Sequence, residues 1–326
     1  MSGLRHEIFS VNAVSFEALA LKIFRYQFEN IPVYAAFAKG LGKTPDTVTT
    51  LVEIPFLPVE IFKTHKVYAA AKEPEIIFAS SGTSGSETSA HHVADLELYR
   101  ESFLRAFRFF YGDPGEWSIL ALLPSYLERE GSSLVYMMDD LVKKSGNADS
   151  GFYLNNYAEL SEKLKRPDGE GKKIWLLGVT YALLDLAEKF PQPLTNAVVL
   201  ETGGMKGKRK EMVREEVHEK LKKAFGVASI HSEYGMTELF SQAYSKGSGI
   251  FQSPPWMRVF IREINDPVSF AETGKTGGIN IIDLANLYSC SFIATSDLGK
   301  LHEDGAFEVL GRFDNSEVRG CNLMVE

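Results

Sequence analysis

Short apolar runs alternate with amphipathic segments along the middle of the chain, and this alternation limits the fold more than any other feature. Runs of adjacent apolar residues predict strands, and apolar residues that recur every three or four positions predict helices. The predicted strands are Glu75–Ala79, Ser118–Leu123, Lys173–Leu177, Ala197–Leu200 and Ala228–His231. The predicted helices are Leu96–Phe110, Leu154–Leu164, Thr180–Lys189 and Lys208–Phe225. Such alternation predicts an α/β protein with layered sheets.

The two ends of the chain differ in character from this middle region. Residues 13–41 carry apolar side chains at helical spacing with breaks at Pro32, Gly40 and Gly42, which predicts helical hairpins packed on a core. Beyond about Ser253 the pattern changes to short strands and turns, and Asp304-Gly305 is a hairpin turn between two alternating runs. The expected divisions are α/β subdomains over 1–252, a smaller, mainly β subdomain over 253–314, and a short tail over 315–326.

Composition excludes several classes of function. The 326 residues carry a formal net charge of −8, which opposes general attraction to nucleic acid. The apolar stretch Ser15–Leu41 is interrupted by charged residues and the start of the chain is polar, so we expect no membrane span, no secretory signal and a cytoplasmic location. The two cysteines, Cys290 and Cys321, have no metal-ligand neighbours, which argues against disulfides and structural zinc.

A hydroxyl-rich loop, Ser80–Ser86, follows the first predicted strand and reads Ser-Ser-Gly-Thr-Ser-Gly-Ser. Its hydroxyl groups and unobstructed backbone N–H groups are suited to surround a phosphate. The loop is not a P-loop, because the lysine is absent, and not a nucleophile elbow, because Ser86 replaces the second glycine. A flexible turn without a ligand is the competing interpretation.

A second polar cluster, His231–Glu238, follows the predicted strand Ala228–His231. Ligands of α/β folds bind at the carboxyl ends of strands. Tyr234 is therefore a candidate to stack on a base, Thr237 to hydrogen-bond a phosphate, and Glu238 to hold Mg²⁺. The alternative is a core tyrosine followed by a solvated glutamate.

Five short segments occur in a fixed order along the chain. They are Ser80–Ser86, Thr202-Gly203-Gly204, Tyr234–Glu238, Ser296-Asp297-Leu298-Gly299 and Gly311-Arg312-Phe313-Asp314. In this order they resemble the successive motifs of the adenylate-forming superfamily, which includes acyl-CoA synthetases, firefly-type luciferases and peptide-synthetase adenylation domains. Ser296 departs from the threonine–glycine lead-in of that family. The resemblance implies an adenylate-forming N-terminal region and the activation of a carboxylic acid by ATP.

The resemblance also implies a role for each matching residue. Gly203 and Gly204 would line an adenine, Asp297 would bind the ribose hydroxyls, and Glu238 would bind Mg²⁺. Nucleotide and phosphate contacts would come from Ser81, Gly82, Thr83, Ser84, Gly85, Gly203, Gly204, Tyr234, Gly235, Thr237, Asp297 and Arg312. Asp314 would mark a hinge, and since twelve residues follow it, the family's mobile C-terminal domain and its catalytic lysine are expected to be largely absent.

Within the superfamily the chain most resembles the LuxE-type acyl-protein synthetases, and more distantly the phenylacetate-CoA ligases. This narrower likeness rests on Phe24–Tyr34, on Ile54-Pro55-Phe56, on the short chain and on Arg319-Gly320-Cys321. It implies a fatty acid substrate, the cofactors ATP and Mg²⁺, a thioester on the catalytic residue Cys321, and an acyl-accepting partner protein such as a reductase, transferase or carrier. A small buried cysteine is the competing interpretation of Cys321, although the polar tail and Arg319 favour a thiolate.

Two questions stay open at the level of sequence. Positive charge is needed opposite the departing pyrophosphate, and the candidates are Lys206, Lys208, Arg209 and Lys210, or His91 and His92. A solvated helix start is the alternative for the four basic residues. The function itself has two rivals: a CoA ligase in which Cys321 is inert, and a nucleotide-binding subunit of an acyl-transfer complex that has lost catalysis.

Overall fold

The structure is a computed structural model that describes residues 2–80, 88–124, 131–154, 156–165, 173–203, 208–210 and 212–313. These residues form nine α-helices and fourteen β-strands. The helices are α1 (Ser2–Phe9), α2 (Phe16–Asn30), α3 (Pro32–Gly40), α4 (Ile61–Thr64), α5 (Leu96–Tyr111), α6 (Ser133–Ser145), α7 (Tyr157–Lys165), α8 (Thr180–Lys189) and α9 (Arg214–Phe225). The strands are β1 (Leu57–Pro58), β2 (Ile76–Ala79), β3 (Ala90–Val93), β4 (Trp117–Leu122), β5 (Gly151–Phe152), β6 (Lys173–Val179), β7 (Ala197–Thr202), β8 (His231–Tyr234), β9 (Ala243–Ser245), β10 (Ile250–Gln252), β11 (Met257–Arg262), β12 (Thr276–Asp283), β13 (Phe292–Leu301) and β14 (Phe307–Arg312).

The chain divides into two compact units. Unit 1 comprises Met1–Glu75, Ser89–Asp95 and Gln252–Glu326, and unit 2 comprises Ile76–Thr88 and Leu96–Phe251. The N-terminal helices therefore group with the C-terminal strands in unit 1, and the chain passes from unit 2 to unit 1 between Phe251 and Gln252. In the described ranges, no helix is long and apolar enough to cross a membrane.

Unit 1 is built on an antiparallel meander of β11, β12, β13 and β14. β1 pairs in parallel with β13, which ties the N-terminal segment to this sheet. β12 and β13 span 8 and 10 residues and are longer than the short strands that we predicted. The predicted hairpin turn is confirmed: Gly305 has a φ of 84°, and the Asp304 side chain accepts a hydrogen bond from Ala306 N.

A buried glutamine explains why the N-terminal helices belong to unit 1. The Gln27 amide on α2 donates to Asn286 O at 2.9 Å and to Leu287 O at 3.0 Å, and its carbonyl oxygen accepts from Ser291 N at 3.0 Å. The same turn contains Cys290, whose thiol has a pKa raised to about 12 by burial. These contacts join residues more than 250 positions apart, so no local pattern could predict them.

Unit 2 contains a mainly parallel sheet in the order β9-β8-β7-β6-β4-β5, with β9 antiparallel to β8. β4 and β6 are buried at nearly every residue. Strands without polar alternation need helices on both sides of the sheet, and the sequence supplies them. We call the two sides of this sheet the α5 face and the α8/α9 face.

Contacts between elements define these faces. On the α5 face, the Phe107 ring lies 5.3 Å from the Trp175 ring, and the Tyr111 ring lies 5.3 Å from the Tyr244 ring. On the α8/α9 face, α8 packs so closely that a Cβ at Gly178 would lie 2.8 Å from Leu183 Cγ. The glycine on β6 is therefore required for helix–sheet packing.

Most predicted elements of unit 2 are present, with displaced boundaries in several cases. α8 has the predicted bounds, whereas α9 begins at Arg214 in place of Lys208. β8 covers His231–Tyr234 in place of Ala228–His231, because its pairing with β7 begins at Leu200 and His231. Helix α6 was not predicted, although Ser132 caps its start and Gly146 ends it with a φ of 59°.

Candidate active site

The carboxyl ends of β7 and β8 lie side by side in unit 2 and carry two of the predicted motifs. Thr202 is the last residue of β7, and Gly203 follows it with a φ of 74°, in the left-handed region that favours glycine. The Thr202 hydroxyl donates to Glu233 Oε2 on β8 at 2.6 Å. The segments that begin at Gly203 and at Tyr234 are therefore brought to one edge of the sheet.

The segment Tyr234–Glu238 is more buried than a surface loop. The Tyr234 ring is buried and lies 6.0 Å from the Phe251 ring, and Glu238 is only 5% exposed. The alternative interpretation is therefore right about a core tyrosine at Tyr234 and wrong about a solvated glutamate at Glu238. A Cβ at Gly235 would overlap Glu233 Oε1. A residue without a side chain is therefore required here for the Glu233 carboxylate to occupy its position.

A polar network occupies the α8/α9 face directly behind this edge. The Glu201 carboxylate accepts hydrogen bonds from Thr180 Oγ1 and from Ser232 Oγ, both at 2.7 Å, and His218 Nε2 lies 3.7 Å from it. Burial raises the pKa of Glu201, but the neighbouring His218 ring and the hydrogen bonds from Ser232 and Thr180 outweigh burial and hold the pKa below its ordinary value. Glu201 is thus a charged group whose partners join β7, β8, α8 and α9.

A second polar group lies on the α5 face, on alternate residues of the same strands. Burial, and after it the Glu233 carboxylate, raises the pKa of Tyr99, Tyr111 and Tyr244. Burial, and after it the Lys246 ammonium, lowers the pKa of His231 to about 4, and the Tyr111 hydroxyl lies 3.3 Å from His231 Nδ1. Neither Glu233 nor Tyr244 was predicted from the sequence as a site residue. The sequence feature that could have indicated them is the alternation of side chains along a strand, which places every second residue near a motif on the same face of the sheet.

In unit 1, Asp297 and Arg312 are direct neighbours across β13 and β14. Arg312 Nε donates to Asp297 Oδ1 at 3.3 Å, and the side chains are 82% and 11% exposed, respectively. A Cβ at Gly299 would overlap the backbone oxygen of Glu308, beside a register shift in β13. The predicted pair of Asp297 and Arg312 is thus brought together, and the glycine of that motif is required by strand packing.

Several predicted site residues lie outside the described ranges. They are Ser81, Gly82, Thr83, Ser84, Gly85, Gly204 and Cys321, together with Lys206 and Asp314. The described chain stops at Ser80 on one side of the hydroxyl-rich loop.

The structure narrows the candidates for positive charge. The Arg209 guanidinium donates to Asp185 Oδ1 at 2.9 Å and to Glu188 Oε1 at 2.7 Å, so two carboxylates already balance it. The His92 ring stacks on Tyr68 at 5.4 Å, and burial lowers the pKa of His92, which favours a neutral ring at pH 7. Neither residue is suited to meet a pyrophosphate. Lys208 and Lys210 are exposed, as their alternative interpretation expects.

Comparison with known proteins defines the class of this fold. No family model matches the sequence, and no curated protein sequence matches it. Solved structures do match, and they show that the chain has the fold of adenylate-forming ligases, which confirms the predicted α/β fold class.

One of these structures is 2-hydroxyisobutyryl-CoA ligase in the postadenylation state with 2-HIB-AMP, which has a TM-score of 0.67 at 14% identity over 95% of this chain and 70% of the ligase. The same ligase in an open conformation with 2-HIB-AMP and CoA has a TM-score of 0.66 at 13% identity, over 95% of this chain and 78% of the ligase. ATP-bound MatB from Rhodopseudomonas palustris has a TM-score of 0.55 at 17% identity, and the match covers 85% of this chain and 56% of MatB. The chain thus spans little more than half of MatB.

Proposed function

We propose that this protein uses ATP to activate a carboxylic acid as an acyl-adenylate and then transfers the acyl group to a thiol. The observation that carries the proposal is the ordered set of five motifs on a fold shared with ligases that were solved with 2-HIB-AMP, with CoA and with ATP. The hydrogen bond between Thr202 and Glu233, which joins two motif-bearing strand ends, supports it.

The described residues fit a magnesium ion that arrives with the nucleotide. They contain no group of three or more His, Cys, Asp or Glu side chains arranged to hold a metal. Glu238 supplies one buried carboxylate next to the proposed nucleotide site, and Mg²⁺ is commonly held by one or two carboxylates together with substrate phosphates. Bound there, Mg²⁺ would offset charge on the phosphates, while Thr237 and the hydroxyl-rich loop would hydrogen-bond them.

The proposed acyl acceptor is Cys321, followed by transfer to a partner protein. A covalent thioester divides acyl transfer into two easier steps: the thiolate attacks the acyl carbon and AMP leaves. Cys290 offers a natural control, because its fully buried thiol has a pKa of about 12 and stays protonated at neutral pH. The resemblance implies a fatty acid as the acyl donor, and an acid panel tests that choice.

Coenzyme A is a second candidate acceptor, and the fold favours it. One matching ligase was solved with CoA as well as with 2-HIB-AMP. In that case Cys321 is inert, and the thiol of CoA attacks the adenylate in its place.

Acid-dependent exchange between ATP and pyrophosphate tests the proposed function. We expect exchange with at least one acid from a panel, and we expect Glu238→Gln and Asp297→Ala to lower it at least tenfold. Exchange with no acid, by a protein that still binds ATP, would show that the chain is a nucleotide-binding subunit.

Intact-protein mass spectrometry then identifies the acceptor. After incubation with ATP, Mg²⁺ and the acid, Cys321→Ser should lose the acyl adduct while keeping exchange, and Cys290→Ser should keep both. An adduct on both variants would contradict the acyl-cysteine step, and acyl-CoA formation by Cys321→Ser would assign the transfer to CoA.

A further inference from the structure

The α5 face of unit 2 contains buried polar groups that have no hydrogen-bond partner in the described ranges. Tyr244 is 1% exposed, and its hydroxyl has no hydrogen-bond partner among the described residues. The indole N–H of Trp175, which is fully buried, likewise has none within those ranges. A buried donor without an acceptor destabilises the folded state, so native proteins seldom keep two of them near one another without a reason.

The two donors belong to one cluster around Tyr111. The Tyr111 ring lies 5.7 Å from the Trp175 ring, 5.3 Å from the Tyr244 ring and 5.9 Å from the His231 ring. These side chains come from α5, β6, β8 and β9 of the same unit. The two donors without acceptors thus belong to residues whose rings adjoin one tyrosine ring.

A charged acceptor adjoins this cluster. Glu233 and Tyr244 are direct register partners across β8 and β9, so their side chains share a face of the sheet. Burial, and after it the Glu233 carboxylate, raises the pKa of the phenols of Tyr99, Tyr111 and Tyr244. One of its oxygens accepts from Thr202, and the other lies against Gly235.

We propose that Glu233, His231, Tyr244 and Trp175 form the part of the acid site that recognises a polar substituent, so that the substrate is a small carboxylic acid with a hydroxyl or amino group. The inference rests on the proposed activation of a carboxylic acid, and it replaces the fatty acid implied by the resemblance with a small polar acid. A hydroxyl group accepts from an indole or phenol donor and donates to Glu233, whereas a fatty acyl chain satisfies none of them. A site built to bind a substrate hydroxyl rejects the analogue without it by several orders of magnitude.

The test compares acids that differ in one group. ATP–pyrophosphate exchange is measured with matched pairs: 3-hydroxybutyrate and butyrate, 4-hydroxybenzoate and benzoate, β-alanine and propionate, with dodecanoate as the fatty acid. We expect kcat/KM for the substituted member of at least one pair to exceed that of its partner by at least 100-fold.

Variants show whether the named residues carry this preference. Tyr244→Phe should reduce the preference at least tenfold, because it slows exchange with the substituted acid and not with its unsubstituted partner. Glu233→Gln should most reduce the preference for the amino-substituted acid, β-alanine, over propionate. The control is Tyr153→Phe, which also removes a phenol in unit 2, one that donates to Asp149 O at 2.6 Å. It should leave the preference unchanged.

The outcomes separate the two proposals. Exchange that is fastest with dodecanoate or with the unsubstituted acids would overturn the polar pocket and leave acid activation standing. A preference for substituted acids that survives intact in Tyr244→Phe and in Glu233→Gln would also overturn it. Exchange with no acid would contradict the proposed function, and the pocket would fall with it.

Discussion

Polar groups have opposite surroundings on the two faces of the unit 2 sheet. On the α8/α9 face, Glu201 receives hydrogen bonds from Thr180 and Ser232 at 2.7 Å. On the α5 face, Tyr244 and Trp175 keep donors without acceptors among the described residues. The Tyr244 and Trp175 side chains are buried, and the Glu201 side chain is 14% exposed.

This difference separates a structural network from a site prepared for a ligand. A satisfied network stabilises the fold and gains nothing from a further group. An unsatisfied one carries a cost that a suitable ligand removes on binding, so it favours a ligand with the missing acceptor. The two faces should therefore respond differently to the same kinds of substitution, and three predictions test this.

The largest effect is expected from Glu201→Ala on the satisfied face. The substitution leaves the hydroxyls of Thr180 and Ser232 and the His218 ring without their common acceptor. The free energy of unfolding should fall by about 3 kcal/mol, as when one partner of a buried charged network is removed. Urea denaturation followed by circular dichroism measures this loss.

Glu162→Ala is the matched control for Glu201→Ala. Glu162 is 69% exposed and pairs with Lys165 at 2.7 Å on the surface of α7, and such pairs contribute little. Its loss should change the free energy of unfolding by less than about 0.5 kcal/mol. Equal losses for the two variants would mean that the Glu201 network does not stabilise the α8/α9 face.

Much of this fold could be predicted from sequence, and the parts that could not have physical reasons. The period of apolar residues predicted α8 to the residue, because Thr180–Lys189 has one continuous buried stripe. The bounds of β8 depend on its pairing with β7 and β9. They could not be predicted from the residues of that strand alone. The grouping of α2 with the C-terminal strands depends on Gln27 and its distant partners.

The candidate site divides in the same way. Motif order predicted Tyr234, Glu238, Asp297 and Arg312, because family resemblance is carried by short segments. It did not predict Tyr244 or Trp175, because their significance lies in the absence of a partner after folding. An unpaired donor is a property of packing and has no counterpart in a pattern of residue types.

A smaller effect is expected from pH, through His231 on the α5 face. Its pKa of about 4 in the folded protein lies below the value of about 6.5 of an unfolded chain. The unfolded state therefore binds a proton first as pH falls. The contribution of His231 to stability is complete above pH 6.5 and is lost as pH falls from about 6.5 to about 4.

Partial exposure of His231 reduces this contribution to about 1–2 kcal/mol. Urea unfolding at pH 7 and at pH 4.5 should show that His231→Gln loses less stability on acidification than the parent protein, by about that amount. If the parent protein and His231→Gln lose the same stability on acidification, the α5 face does not hold the His231 imidazole neutral, and the predicted lowering of its pKa is wrong.

The smallest effect on stability is expected from Tyr244→Phe, and it tests the comparison most directly. The hydroxyl that is removed has no partner among the described residues, so the folded protein loses no hydrogen bond and is relieved of a buried polar atom. The free energy of unfolding should stay within about 0.5 kcal/mol of the parent value or rise.

Tyr99→Phe is the matched control, because Tyr99 is an equally buried phenol that donates to Ser133 O at 2.9 Å. This variant should lose about 1 kcal/mol of the free energy of unfolding. Thermal or urea unfolding in the absence of ligand measures both variants. A loss of about 1 kcal/mol or more in Tyr244→Phe would mean that the Tyr244 hydroxyl already has a structural hydrogen-bond partner. The buried polar groups of both faces would then be satisfied within the fold.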